Sequence, residues 1–177
     1  MDVWIALLRG INVGGNNILP MKNLRQLLES AGFQDVKTYI QSGNCAFRTD
    51  RVEAFEIEQT ISQSIEREFG FRPHVMVFKR LKMLEAISSN PYPEGQDDPK
   101  SVLLFFLAEP AKAPDIRALE ALRAPTETFE LTDRVFYLHA PDGIGRSKLA
   151  AQAERKLGVV TTARNLRSSI NIAGLLE

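Results

Sequence analysis

The sequence predicts an α+β protein that contains two tandem βαββαβ units and one extra helix at the C-terminus. Two unbroken apolar runs, residues 3–8 and Val102–Leu107, each open a similar series of elements. A segment rich in proline, glycine and acids, residues 90–99, separates the two series. In each half, apolar residues recur at helical spacing between short strand-like segments. A tandem duplication therefore explains the order of the elements.

The first half begins with a strand that has no polar face, which indicates a strand covered on both sides. The predicted strands are residues 3–8, 36–41, 44–48 and 73–78, and the predicted helices run from Pro20 to Gly32 and from about Ala54 to Gly70. Proline suits a first helical turn and glycine a C-terminal cap. Ser42 and Gly43 predict a two-residue hairpin turn, because glycine accepts a positive φ. This order of elements is the split βαβ, or ferredoxin-like, arrangement.

The second half repeats the pattern after a short helix near Leu84. The predicted strands are Val102–Leu107, Thr128–Leu131, 135–138 and a short 159–160, with helices around Leu119, over 147–157 and finally over 163–176. The final helix has no counterpart in the first half. We therefore predict a first subdomain over residues 1–79, a linker helix and Pro-rich loop over 80–100, and a second subdomain over 101–177.

Composition indicates a globular protein and limits the classes of function. Hydrophobic residues make up 44% and charged residues 25%, and 22 basic residues balance 22 acidic ones. Zero net charge argues against a protein that coats nucleic acid through bulk electrostatics. No apolar run approaches the ~20 residues that span a bilayer, and no secretory signal is expected, so the predicted location is cytoplasmic and no membrane partner is expected.

Several isolated residues are expected to be structural. Cys45, the one cysteine, excludes an intrachain disulfide and is expected to pack in a strand. Trp4 and Phe47 are expected in the core. His74 and His139, the only histidines, are far apart in sequence and lack a ligand pattern, so no metal site is predicted.

The connection after the first strand, residues 9–20, is the strongest candidate for a functional site. It contains three glycines, three asparagines and one arginine but no acid. Glycine and asparagine accept left-handed backbone angles, so such a turn can direct several backbone N–H groups toward one anion. The matching connection, residues 108–114, is shorter, so folding does not require the extra residues. The alternative is that the glycines only shape a wide turn that the asparagines cap.

Three further polar turns are candidate parts of the same site. In residues 41–44, amides flank a Ser-Gly pair that ordinary hairpin chemistry also explains. Residues 141–148 lead into a helix start, where Ser147 is a candidate cap and the helix dipole favours anions. Residues 161–165 are expected to place a threonine cap on the last helix. Ordinary capping and solvated charges are the alternative for the last two turns.

We predict one composite, anion-accepting site from these four turns. Its arginines would pair with phosphate or carboxylate, its glycine N–H groups would bind the same anion, and its amides would add neutral hydrogen bonds. The predicted ligand-binding residues are Arg9, Gly10, Asn12, Gly14, Gly15, Asn17, Gln41, Ser42, Asn44, Arg146, Ser147, Lys148, Arg164 and Asn165. The expected ligand is a nucleotide, a phosphorylated metabolite or a nucleic-acid backbone.

Two other functions remain open. Residues 143–177 hold six basic and two acidic residues, whereas residues 91–142 hold ten acidic and five basic ones. A nucleic-acid-binding module would use this basic region through Lys148, Arg155, Lys156 and Arg167, although zero net charge makes this alternative less favoured. A protein-interaction module would use the first loop to contact a partner. No cofactor is expected, and no residue is marked as an acid, base or nucleophile, so the sequence leaves catalysis and oligomeric state open.

Five motifs in order resemble one bacterial family of domains of unknown function, numbered 1697. They are Arg-Gly-Ile-Asn-Val-Gly-Gly at 9–15, Tyr-Ile-Gln-Ser-Gly-Asn at 39–44, Asn-Pro at 90–91, Gly-Arg-Ser-Lys at 145–148 and Thr-Ala-Arg-Asn at 162–165. The resemblance implies an α+β fold of two ferredoxin-like subdomains and brings no established activity. The family usually has tryptophan where this chain has Leu166, and valine where it has Cys45. Leucine is a modest change if position 166 packs under the last helix, but it would alter function if the tryptophan stacks on a ligand.

Overall fold

The computed structural model describes residues 1–177, which divide into two compact units. Unit 1 comprises Met1–Glu85 and Ile170–Glu177, and unit 2 comprises Ala86–Ser169. The predicted division differs, because it assigned the C-terminal residues to the second half. Two hydrogen bonds hold them in unit 1: Arg80 Nε donates to the carbonyl of Ala173 at 2.6 Å, and Asn171 Nδ2 donates to the hydroxyl of Tyr39 at 3.0 Å. No helix in either unit has the length and apolar character needed to cross a membrane.

Unit 1 contains a four-stranded antiparallel sheet with the strand order β2-β3-β1-β4. Its elements are β1 (Asp2–Arg9), α1 (Met21–Ser30), β2 (Gln34–Tyr39), β3 (Asn44–Thr49), α2 (Ala54–Phe69) and β4 (His74–Lys79). Helix α3 (Arg80–Ser88) begins in unit 1, and its residues from Ala86 onward belong to unit 2. The apolar run in β1 is confirmed as a central strand. Alternate β1 residues such as Trp4 and Leu8 pack with α1 and α2 in one core, which also includes Phe47 and Cys45.

Unit 2 repeats this topology with the strand order β6-β7-β5-β8. Its elements are β5 (Val102–Leu107), α4 (Ile116–Leu122), β6 (Thr128–Leu131), β7 (Val135–His139), α5 (Lys148–Leu157) and β8 (Thr161–Asn165). The last helix, α6 (Leu166–Ala173), begins in unit 2, and its residues from Ile170 onward belong to unit 1. Corresponding strands occupy corresponding places in the two sheets. The chain is therefore a mixed α+β protein with two four-stranded antiparallel sheets and six helices, consistent with two repeated αβ units.

The predicted two-residue hairpin between β2 and β3 is wrong. Strand β2 ends at Tyr39, and four residues, 40–43, connect it to β3. Ile40 leaves the extended conformation with φ +48°, and the Asn44 amide closes the loop by donating to the Tyr39 carbonyl at 3.1 Å. Gln41 therefore lies in the loop and not on a strand.

The predicted end of the chain is also wrong. Residues 161–165 form strand β8 rather than a helix cap, and residues 159–160 are not a strand. Strand β8 pairs along β5, with Thr161 opposite Leu107 and Asn165 opposite Leu103. The cap of α6 is Asn165, whose Oδ1 accepts the N–H of Ser168 at 2.8 Å. Sheet pairing thus overrides a local sequence that lacks strand alternation.

The Pro-rich segment 90–99 is packed structure within unit 2. It contains a 3₁₀ turn, Pro93–Gln96, in which Gly95 is buried. A Cβ on Gly95 would lie 2.7 Å from Leu166 Cδ2. Since Leu166 is itself buried, position 166 packs against this turn in the present chain. Leucine there serves packing, and its side chain is too buried to stack on a ligand.

The two units protect the same sheet edge in the same way. Glu58 Oε1 on α2 accepts the N–H of Val77 on edge strand β4 at 2.9 Å. Glu154 Oε2 on α5 accepts the N–H of Thr161 on edge strand β8 at 2.8 Å. A carboxylate that occupies an edge N–H hinders pairing with another chain. In both units the glutamate comes from the helix that precedes the edge strand, which adds a chemical similarity to the repeated topology.

We expect the stability of unit 1 to depend on the protonation of Glu58. Desolvation by burial raises the pKa of Glu58, opposed by its hydrogen bond from Val77 and by His74. A pKa raised on folding stabilises the native state below the unfolded pKa, and this contribution is lost as pH rises through the folded pKa. Measured by urea unfolding, the free energy of unfolding of wild type should therefore rise relative to that of Glu58→Gln as pH falls from about 7 to about 4. Glu68→Gln, which changes an exposed residue on the same helix, is the control, and its free energy of unfolding should depend on pH in the same way as that of wild type. If Glu58→Gln also shows the pH dependence of wild type, Glu58 does not have the raised pKa.

Candidate functional site

Residues 12–17 of the first loop form a miniature hairpin beyond the end of β1. The N–H of Asn12 donates to the Asn17 carbonyl at 3.1 Å, and the N–H of Asn16 donates to the Val13 carbonyl at 3.0 Å. Gly14 and Gly15 at its tip have φ +58° and +77°, the signs of a type I′ turn. Both glycines are exposed, and their N–H groups take no part in the hairpin's hydrogen bonds.

Left-handed residues are concentrated in this loop. Gly10, Asn12, Gly14, Gly15 and Asn17 all have positive φ, whereas Ile11, Val13 and Asn16 do not. Left-handed residues occur in anion-binding nests. Here two of them, Gly14 and Gly15, are adjacent at the exposed tip of the hairpin, between the bridged residues Val13 and Asn16. The expectation that glycine and asparagine here supply left-handed angles is confirmed.

The asparagine side chains hold the loop in shape. Asn12 Nδ2 donates to the carbonyls of Leu19 at 2.9 Å and Gln41 at 2.8 Å, and Asn12 Oδ1 accepts the N–H of Leu19 at 2.8 Å. Asn17 Nδ2 donates to the Gly10 carbonyl at 3.0 Å. Asn12 therefore uses both amide hydrogens inside the protein. Its side chain braces the first loop against the 40–43 turn by hydrogen-bonding to both.

The 40–43 turn lies against the first loop, so two of the four predicted segments come together in unit 1. Asn44 is fully buried and donates to the Tyr39 carbonyl and to Ser42 Oγ, at 3.1 and 2.9 Å. Its amide hydrogens thus shape the turn. Gln41 is exposed and Ser42 is half-buried, which leaves these two side chains at the surface beside the hairpin.

Gly43 allows this close approach. Its carbonyl accepts the N–H of Leu8 at 2.8 Å, and its φ is +77°. A Cβ at this position would lie 2.7 Å from both Leu8 Cβ and Ile11 Cδ1. Because Leu8 and Ile11 are buried, neither side chain has room to move away. The glycine is required by the contact between turn and loop as well as by its own backbone angle.

Arg9 and His74 place two nitrogen-bearing side chains at this end of the sheet. They are opposite partners on β1 and β4, so their side chains share one face, and both are exposed. Residues 9–28 and 36–49 contain no aspartate or glutamate. These two segments thus carry no acid of their own, and Glu58 on α2 is the carboxyl group that interacts electrostatically with His74. Sequence reasoning set His74 aside, and only the register of β1 with β4 reveals its place beside Arg9.

The other two predicted segments lie in unit 2. Ser147 is confirmed as the N-cap of α5, with Oγ accepting the N–H of Ala150 at 2.9 Å, and its exposed neighbours Arg146 and Lys148 flank that cap. Ala163 packs in the core with α5, so Arg164 next to it projects from the opposite sheet face. Arg164 Nη1 donates to the Ala163 carbonyl at 2.8 Å. Within unit 2, Arg164 thus points away from α5, and Asn165 caps α6.

Neither unit provides a metal-binding cluster. No group of three or more histidine, cysteine, aspartate or glutamate side chains could hold a metal ion. Cys45 is a free, buried cysteine in the core of unit 1. The chemistry available at the loop is therefore hydrogen bonding and charge, from backbone N–H groups, a guanidinium and an imidazole.

Fold and site together define an α+β protein of two repeated αβ units, one of which carries a braced glycine hairpin. The chain belongs to the family described as Protein of unknown function (DUF1697), whose model matches residues 1–137. No curated protein matches the sequence.

A solved structure supports the fold. The conserved bacterial protein SP0830 from Streptococcus pneumoniae is similar, with a TM-score of 0.70 and 22% sequence identity over 99% of each chain. At this level of identity the similarity concerns the fold alone. It extends over both units, beyond the residues that the family model matches.

Proposed function

We propose that unit 1 binds an anionic small molecule, such as a nucleotide or a phosphorylated metabolite, at the glycine hairpin. Arg9 would pair with the phosphate, the N–H groups of Gly14 and Gly15 would donate to its oxygens, and His74 would add a donor from β4. The observation that carries the proposal is the run of left-handed residues whose asparagine side chains are used to fix the loop.

Preorganisation is the physical basis of this proposal. A flexible loop loses conformational entropy when it closes around a ligand, and a loop already fixed by hydrogen bonds avoids much of that loss. Here the hairpin is fixed along its length by its own backbone bonds and by Asn12, which reaches both Leu19 and Gln41. Energy from each new contact with an anion would therefore appear largely as affinity.

Helix α1 adds to the positive potential at the same end of unit 1. It begins at Met21, directly after the loop, and its first turn has no acid and no side-chain cap. The uncapped N–H groups and the helix dipole favour a negative charge near this terminus. Lys22, exposed in that first turn, has the same sign.

Two finer assignments accompany this proposal. We propose that each unit is ferredoxin-like, which the βαββαβ order and the shared strand order support. We also propose a cytoplasmic location, supported by a single cysteine that is buried and free.

Calorimetric titration with inorganic phosphate and with a nucleoside monophosphate tests the site. We expect saturable binding to the full chain, and we expect Arg9→Gln to weaken it roughly 10- to 100-fold, the loss typical of a hydrogen bond to a charged group. Arg67→Gln is the matched control, because it removes an exposed arginine from α2 in the same unit. If Arg9→Gln and Arg67→Gln bind phosphate with equal affinity, Arg9 is not part of the site. If wild type binds neither phosphate nor the nucleoside monophosphate, the proposed function is wrong.

The alternative of nucleic-acid binding through unit 2 has less support. Lys148 and Arg155 are exposed on α5, but Arg164 projects from the other face of the sheet. Binding of RNA or DNA that weakens steeply with salt and with Lys148→Gln would favour this alternative. The protein-interaction alternative would instead predict no stabilisation by any small anion.

A further inference from the structure

Three large aliphatic side chains stand in solvent around the glycine hairpin. Val13 is 64% exposed, Ile18 is 56% exposed and Ile40 is 52% exposed. An isolated exposed aliphatic residue needs no explanation, but a group of them beside a polar site indicates a surface that something covers. We call these three residues the aliphatic rim.

Hydrogen bonds join the backbone segments that carry the aliphatic rim. Asn12 donates its N–H to Asn17 and its side chain to Gln41, at 3.1 and 2.8 Å. Val13 follows Asn12, Ile18 follows Asn17 and Ile40 precedes Gln41, so each rim residue is one position from this junction. The rim therefore belongs to the loop and turn that form the proposed anion site.

Ile40 is also held in an unfavourable backbone conformation. Its φ is +48°, a region in which a β-branched side chain is a true outlier. Glycine or asparagine would relieve this strain and would also remove an apolar side chain from solvent. Strain that persists at an exposed loop position is characteristic of functional sites. The backbone strain at Ile40 and the exposure of about half of its side chain both oppose folding.

Resting on the proposed anion site, we propose that the ligand is an amphiphilic phosphate ester, with an apolar body that covers the aliphatic rim. The phosphate would occupy the Arg9 and glycine positions. The organic group would lie over Val13, Ile18 and Ile40 and remove their surfaces from water. A small polar ester, such as glycerol phosphate, would leave the rim exposed and gain nothing from it.

A series of straight-chain alkyl phosphates, methyl to butyl, tests this assignment on the full chain by calorimetry. We expect the affinity to rise by up to roughly fourfold for each added methylene. Glycerol phosphate, which has a similar size to the longer esters, should bind no more tightly than methyl phosphate. If methyl phosphate binds but the affinity does not change with alkyl chain length, this inference is overturned and the proposed function stands. No binding of any phosphate would overturn both.

Two variants locate the effect. Ile40→Asn should flatten the chain-length series, and a retained or raised melting temperature would show that the variant folds. Leu81→Asn is the control, because Leu81 is 62% exposed on α3 of the same unit and lies outside the rim. If the affinity still rises with chain length in Ile40→Asn, the assignment is contradicted. It is also contradicted if sedimentation experiments show that the chain self-associates through the rim and the alkyl phosphates show no dependence on chain length.

Discussion

Replacing Gly43 with alanine is expected to lower the free energy of unfolding by about 2–5 kcal/mol. The left-handed backbone accounts for about 1–2 kcal/mol of this loss, since Gly43 has φ +77°. Steric overlap accounts for another 1–3 kcal/mol or so, because the new Cβ would lie 2.7 Å from Leu8 Cβ and Ile11 Cδ1. Urea unfolding followed by circular dichroism measures the change.

Gly70→Ala is a closely matched control for this prediction. Gly70 caps α2 with the same φ of +77°, but a Cβ there would meet nothing within 4 Å. Its substitution should therefore show the backbone effect alone. If the two alanine variants lose equal stability, the tight contact between the 40–43 turn and the first loop does not exist in solution.

The second large effect is expected from Asn12→Ala. This change removes three hydrogen bonds, to Leu19 N–H, Leu19 carbonyl and Gln41 carbonyl. At about 1 kcal/mol each, and with partners left partly buried, these bonds should account for about 2–4 kcal/mol. A backbone term adds to this loss, because alanine tolerates the φ of +52° less well than asparagine. Because the bond to Gln41 joins loop and turn, phosphate affinity should fall as well.

Asn17→Ala provides the comparison for Asn12→Ala. Asn17 has φ +50°, close to the +52° of Asn12, but its side chain makes one hydrogen bond within the loop, to Gly10. It should lose about 1 kcal/mol from that bond, in addition to a similar backbone term. Equal losses in chemical unfolding would show that Asn12 does not brace the loop against the turn.

Sequence patterns predicted the elements whose signals are local. The apolar runs of β1 and β5 and the glycine that ends α2 are of this kind, and the structure has them where the sequence placed them. Strand β8 was missed, because Thr161–Asn165 has no apolar alternation and becomes a strand only by pairing with β5. The 40–43 loop was missed because strand-forming Ile40 adopts a left-handed angle.

The location of the candidate site was predictable from the glycines and asparagines of the first loop, but the roles of its residues were not. Asn12 acts through Leu19 and Gln41, which are 7 and 29 positions away in sequence. His74 comes beside Arg9 only through the register of β1 with β4. Val13 and Ile18, apolar residues inside a glycine-asparagine loop, were a visible signal for the aliphatic rim. Ile40 gave no such signal, since an isoleucine next to a strand is ordinary.

Residue-resolved NMR during a phosphate titration tests the anion site most directly. The amide resonances of Gly14 and Gly15 should shift saturably in wild type, because their exposed N–H groups would donate to the phosphate oxygens. The shifts should persist in Arg67→Gln and require far more phosphate in Arg9→Gln. Glycine amides that do not move while phosphate binds elsewhere, or that move equally in both variants, would contradict the assignment of the hairpin as the site.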